Sequence, residues 1–181
     1  MMDKETKRAS AYIYRGRIIN LRRDTVKLPN GNETFREVVE HNGAAACLIL
    51  SPERKVIFVS QYRSPFNQEV LEVPAGRIEK NEDPEETIKR ELEEEVGIKP
   101  LALEKVGMIY PSPGYSDEVI HLFFTESYEK VAMHRDEDEF LEICELSIPE
   151  AYGMVSEGKI VDAKSLCLLL NCKERLMKGE N

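Results

Sequence analysis

The chain has 181 residues, 41% hydrophobic and 33% charged, the balance of an ordinary soluble globular protein large enough for one sizeable core. It contains no apolar stretch of about 18 residues that would mark a membrane span, and residues 1–10 lack the apolar run of a secretory leader. The net charge of −9 is concentrated in residues 76–98 and 135–145, each at −5; two local acidic clusters suit a cation, or are two solvated charge runs, and disfavour a nucleic-acid-binding face.

Along the chain, the apolar runs within residues 10–28 end at the turn signal Pro29-Asn30-Gly31, and residues 36–41 read as a strand. Residues 1–42 are therefore expected to form a small β-rich extension that packs on the main domain or on a second subunit. The main domain is expected over residues 43–181. Ala44–Leu50 and residues 56–61 form a strand pair around Ser51-Pro52-Glu53, residues 70–74 a third strand, and residues 76–81 a loop. Asp83-Pro84 with Glu86 starts a helix, as cap, first helical proline and capping-box acid, and Gly97 stops it.

Residues 103–110 and 119–125 read as strands around the rigid loop Pro111-Ser112-Pro113-Gly114. Residues 128–139 read as a polar loop, 143–147 as a last strand, and 149–157 and 162–178 as helices. Leu166, Leu169, Leu170, Leu176 and Met177 give the last helix an apolar face. Mixed strands flanked by helices imply an α/β/α sandwich. Cys47, Cys144, Cys167 and Cys172 make no CxxC pair and have no companion histidine spacing, so they read as reduced thiols of a cytoplasmic protein and not as a zinc site.

The helix over 84–96 carries the chemistry. With Glu91 set at zero, Glu95 falls at about +40° and Glu94 at about −60°, while Ile88, Leu92 and Val96 occupy the adjoining arc. One stripe can enter the core while the next presents three carboxylates. Their mutual repulsion, and their opposition to the helix dipole near its C-terminal end, would be relieved by a hard divalent cation. On the helix alone, that reading and an exposed acidic face stand even.

The wider spacing decides between them. From Gly76 the chain runs Gly76-x5-Glu82-x7-Arg90-Glu91-Leu92-x-Glu94-Glu95-x-Gly97-Ile98. This resembles the Nudix box, G-x5-E-x7-R-E-U-x-E-E-x-G-U with U aliphatic, at every fixed position. The resemblance implies a Nudix-type α/β/α sandwich with a mixed sheet and a loop–helix–loop metal site. It implies Glu91 and Glu95 as Mg²⁺ ligands, Glu94 as a further ligand, the Ala75 carbonyl as another, Glu82 in support, and Arg90 holding the carboxylates in place.

Three further segments resemble ADP-ribose pyrophosphatases: residues 36–45, the pair Gln61-Tyr62-Arg63 with Leu71-Glu72-Val73-Pro74-Ala75-Gly76, and residues 110–118. The residues 157–165 extend the likeness, which departs from the family pattern at Thr87-Ile88 and Gly114-Tyr115. In that family a proline placed like Pro113, 16 residues beyond Gly97, marks ADP-ribose specificity. The resemblance thus places Arg63 near the phosphates, Arg36 and Glu37 near the adenine, and Glu72, Pro113 and Gly114 among the substrate-binding residues. Tyr12 is a further stacking candidate, and a homodimer is implied.

Within the run Asp136-Glu137-Asp138-Glu139, alignment back from Ile148-Pro149-Glu150 puts Glu137 at the catalytic-base position and Glu139 among the metal ligands. The expectation is hydrolysis of ADP-ribose to AMP and ribose 5-phosphate with two or three Mg²⁺ ions, Mn²⁺ being able to substitute. The alternatives are a pyrophosphatase for another nucleoside-diphosphate sugar or dinucleotide, and a non-catalytic nucleotide-sensing module. An RNA-end-processing enzyme is disfavoured by the acidic balance.

Overall fold

The computed structural model describes residues 4–133 and 140–178. They divide between two compact units, one of residues 4–43 with 110–119 and the other of the remainder. The first unit is a three-stranded antiparallel sheet in the order β1 (Thr6–Arg15), β2 (Ile19–Lys27), β3 (Glu33–His41). The β2–β3 turn forms where Pro29-Asn30-Gly31 signals it. The Gly31 N–H donates to the Leu28 carbonyl at 2.9 Å, and glycine supplies the left-handed φ of +91°. Residues 110–119 join this sheet through Val39, whose N–H donates to the Tyr115 carbonyl at 2.7 Å and whose carbonyl accepts from the Asp117 N–H at 3.1 Å.

The second unit is built on a mixed sheet in the order β10 (Leu141–Ser147), β5 (Lys55–Arg63), β4 (Ala44–Leu50), β9 (Ile120–Lys130), β8 (Ile98–Ile109). β6 (Gln68–Glu72) pairs with β5, and β7 (Ala75–Arg77) pairs with β4. The centre is β4, parallel to β9 and antiparallel to β7 at one end and β5 at the other. Its unbroken apolar run is what a strand covered on both faces requires.

Alternation along β4 feeds two cores. Ala45, Cys47 and Ile49 meet Ile88, Leu92 and Val96 of α1 (Pro84–Val96), together with Phe123. Ala46, Leu48 and Leu50 face the opposite side. There Ile148 and Ala151 of α2 (Ile148–Ser156), Leu168 and Leu169 of α3 (Ala163–Asn171), and Leu176 of α4 (Lys173–Met177) complete the second core. The layers are helix, sheet and helices, the expected α/β/α sandwich. Leu92 is fully buried, so Leu92→Ala should lower the unfolding free energy by about 3 kcal/mol. Urea denaturation checks this, and a loss below about 1 kcal/mol would mean the site collapses onto the gap.

Several boundaries differ from the sequence reading. The supposed loop at 76–81 begins with β7, because Gly76 pairs with Ala45. β8 starts at Ile98 and β9 continues to Lys130, because these polar ends pair with each other, Ile98 opposite Lys130. The polar loop assigned from residue 128 therefore starts later. The C-terminal helix is interrupted at Cys172, which caps α3 and begins α4. All four cysteines are free, and complete burial pushes the Cys47 thiol well above its ordinary value.

Candidate active site

α1 begins where Asp83 accepts a hydrogen bond from the Glu85 N–H at 2.8 Å, with Pro84 opening the first turn. It ends at Gly97, whose φ of +64° gives the left-handed stop. The helix lies against β7 so closely that a Cβ on Gly76 would fall 1.8 Å from the Glu91 carboxyl carbon. Only glycine fits there.

One guanidinium organises the carboxylates. Arg90 donates from Nε and Nη2 to the two oxygens of Glu82, at 3.1 and 3.2 Å. Its Nη1 donates to Glu91 at 2.8 Å and to Glu94 at 3.0 Å. Glu82 also accepts from the Glu79 N–H at 3.0 Å and the Thr87 hydroxyl at 2.8 Å. The hydrogen bond from Arg90, with these two donors, holds the Glu82 carboxyl down at about 2, against the opposing effect of burial. Arg90 in turn is pushed up, chiefly by its bond to Glu82. Thr87, where the chain departs from the family pattern, is thus an anchor for Glu82.

Glu91 and Glu95 are buried in the fold, while Glu94 is partly exposed. The expected stripe of three carboxylates therefore sits at the edge of the core and not wholly beside it. Glu95 accepts from the Ala75 N–H at 3.2 Å, which sets Ala75 beside the helix. Among the described residues no three acidic, histidine or cysteine side chains are gathered as a metal cage. Glu91 and Glu94 turn instead to Arg90.

A second network adjoins the first. Glu72 is buried and accepts from Arg63 Nε at 2.6 Å and Nη2 at 2.8 Å. Its Oε2 also accepts from the buried Lys164 ammonium, which bonds Asp162 at 2.9 Å. Burial pushes Glu72 up, but the Arg63 hydrogen bond and the Lys164 charge outweigh it and hold the carboxyl below its ordinary value. Asp162 caps α3 by accepting from the Ser165 N–H at 2.9 Å and hydroxyl at 2.6 Å. The same Ser165 oxygen accepts from the Val73 N–H at 2.8 Å.

Residues 40–169 match the NUDIX domain family, and residues 5–39 match the family of nucleoside diphosphate sugar hydrolase N-terminal domains. The chain belongs to the Nudix family. The ADP-ribose pyrophosphatase of Bacillus subtilis (strain 168) is 41% identical, with 93% of each chain covered. The methanol dehydrogenase activator of Bacillus methanolicus is 42% identical over 85% of this chain and 84% of its own. The GDP-mannose pyrophosphatase of Yersinia enterocolitica is 35% identical over 76% of each. A crystal structure of an ADP compounds hydrolase, 19% identical, superposes with a TM-score of 0.85 over 97% of this chain and 96% of that one, and shares the fold.

In this Nudix hydrolase of the nucleoside-diphosphate-sugar pyrophosphatase type, the box residues Gly76, Glu82, Arg90, Glu91, Glu94 and Glu95 stand together with Ala75, Arg63 and Glu72 in the second unit. Arg36, Glu37, Pro113 and Gly114 belong to the first unit and are exposed. Arg36 pairs with Glu5 and Tyr12 stacks against the Arg15 guanidinium at 3.9 Å. Glu137 and Glu139 lie outside the described residues. Sequence reasoning missed Lys164. The available signal was a lysine in the first turn of a helix, the end where the dipole repels a cation.

Proposed function

We propose that the protein hydrolyses the pyrophosphate bond of ADP-ribose, consuming one water and releasing AMP and ribose 5-phosphate. The observation that carries this reading is the set of glutamates that α1 holds beside the Ala75–Gly76 backbone, with Arg63 at the same end of the sheet. The donor set fits a hard divalent cation: carboxylate oxygens, a backbone carbonyl and a glycine that leaves no side chain in the way. Glu91, Glu94, Glu95, the Ala75 carbonyl and Glu139 would hold Mg²⁺, two or three ions, with Mn²⁺ able to substitute. Bound there, the cation neutralises charge on the phosphoryl oxygens.

The chain's own residues do the rest. Arg90 fixes the directions of Glu91 and Glu94 by charge-assisted hydrogen bonds. Arg63, kept charged by its bonds to Glu72, offers a guanidinium to the phosphates. Glu137 orients the attacking water and takes its proton, for in-line displacement at one phosphorus. Arg36 and Glu37 recognise the adenine, and Pro113 with Gly114 shapes the substrate loop. The exposed Tyr12, Ile13, Tyr14 and Phe35 of the N-terminal sheet support a homodimer, and the four free cysteines suit the cytoplasm.

A second reading, another nucleoside-diphosphate sugar as substrate, is favoured by the N-terminal domain match and the GDP-mannose pyrophosphatase relative. The test is a Mg²⁺-dependent assay of purified protein on ADP-ribose and GDP-mannose with products separated. The expected result is AMP and ribose 5-phosphate, abolished by chelator, with kcat/KM at least about tenfold higher for ADP-ribose. A preference for GDP-mannose moves the assignment to the second reading. Cleavage of neither substrate by folded, metal-supplied protein overturns the ADP-ribose reading and removes GDP-mannose from the second.

A further inference from the structure

We propose that Lys164 is a positioning residue for Arg63, acting through Glu72. The inference rests on the reading that Arg63 meets the substrate phosphates.

Glu72 is one carboxylate shared by two cations that arrive from different elements, Arg63 from β5 and Lys164 from α3. Its side chain is 4% exposed and that of Lys164 is 9% exposed. A lysine so placed is costly twice over. Its ammonium is withdrawn from water, and it stands in the first turn of α3, where the helix dipole repels positive charge. Apolar side chains in place of the whole buried ion pair would often serve stability as well. The arrangement makes sense if its product is the state of Arg63.

That state is specific. Arg63 spends Nε and Nη2 on Glu72, and Nη1 has no hydrogen-bond partner among the described residues. Its side chain is 42% exposed, and the charge of Glu95 acts on it. The guanidinium therefore lies within electrostatic reach of Glu95 on α1. Lys164 affects the guanidinium in two ways. It bonds the same Glu72 Oε2 that accepts from Arg63 Nη2, so the carboxylate plane, and with it the guanidinium plane, is held against turning. It also draws off part of the negative charge of Glu72, so that Arg63 is not fully neutralised before substrate arrives. Asp162 and Ser165 lock the arrangement to the backbone, since Ser165 accepts from Val73, the residue next to Glu72.

The test measures ADP-ribose binding by calorimetry without divalent metal, so that no turnover intervenes, alongside thermal melting. Arg63→Gln is expected to weaken binding about tenfold or more. Lys164→Met is expected to weaken it about fivefold, and the double variant to bind no worse than Arg63→Gln alone, because both act through one group. Lys164→Arg, which keeps the charge, should recover binding to within about twofold of wild type. Wild-type binding by Arg63→Gln overturns the phosphate reading of Arg63. Weak binding by Arg63→Gln with wild-type binding by Lys164→Met, or multiplicative losses in the double variant, overturns the positioning role alone. Should Lys164→Met fail to fold, Asp162→Asn removes the second anchor of Lys164 while keeping a helix cap. It should weaken binding about twofold and add nothing to Arg63→Gln; unchanged binding overturns the inference.

Discussion

Gly76→Ala is expected to lower kcat/KM on ADP-ribose by about a hundredfold, the scale of loss when a reacting constellation is displaced by about 1 Å. The added methyl would lie 1.8 Å from the Glu91 carboxyl carbon, 1.9 Å from its Oε1 and 2.3 Å from its Cγ. Either β7 retreats and loses the Gly76–Ala45 pairing, or Glu91 swings away from Arg90. Both move a carboxylate that the proposed reaction needs. The overpacking itself should cost about 1–3 kcal/mol of stability, read by urea denaturation. Gly114→Ala is the control for stability, since nothing lies within 4 Å of a Cβ there. Full turnover in Gly76→Ala would mean that Glu91 does not act from its observed place.

Arg90→Met is expected to cost about 2–3 kcal/mol at neutral pH and to abolish most turnover, because Glu82, Glu91 and Glu94 lose the donor they share. The pH dependence gives the sharper check. In the wild type, Glu82 titrates at about 2 in the folded state, below its ordinary value of 4.5. A lowered folded pKa means stability that is fully present above about pH 4.5 and lost as pH falls through about 2. In Arg90→Met the larger part of that depression is lost, and only the Glu79 amide and the Thr87 hydroxyl still oppose the effect of burial. The gap in unfolding free energy between the two proteins should therefore shrink from pH 7 to pH 4. A gap that stays constant would show that Glu82 draws its low value from the Glu79 amide and Thr87 hydroxyl, with Arg90 contributing little.

Much of this site was legible because its parts are local. Asp83, Pro84 and Gly97 mark the ends of α1 by cap chemistry, and the i, i+4 spacing of Glu91 and Glu95 is a property of the helix itself. Less legible was what depends on distant pairing. The strand ends at Ile98 and Lys130 carry no apolar alternation and are strands only because they face each other. β7 is three residues long and owes its conformation to β4. The burial of Glu91 and Glu95 depends on how closely β7 approaches the helix, which no helical wheel contains. Lys164 was hidden for a related reason: in a segment otherwise read for its leucines, a lone lysine announces nothing until Glu72 is brought to it.

The parallel pairing of β4 with β9 sets an order of events during synthesis. Ala45 lies opposite His121 and Cys47 opposite Phe123, so the floor on which α1 rests combines an early strand with a late one. A ribosome that has released the whole of α1 has yet to release β9. Until then Ile88, Leu92 and Val96 lack part of their seat, and the glutamates on the same helix have no settled geometry. Distant pairings of this kind close slowly, on a scale of about milliseconds to seconds. The nascent enzyme therefore carries its acidic helix as an exposed amphipathic segment, and becomes competent only once its carboxyl-terminal half has been made.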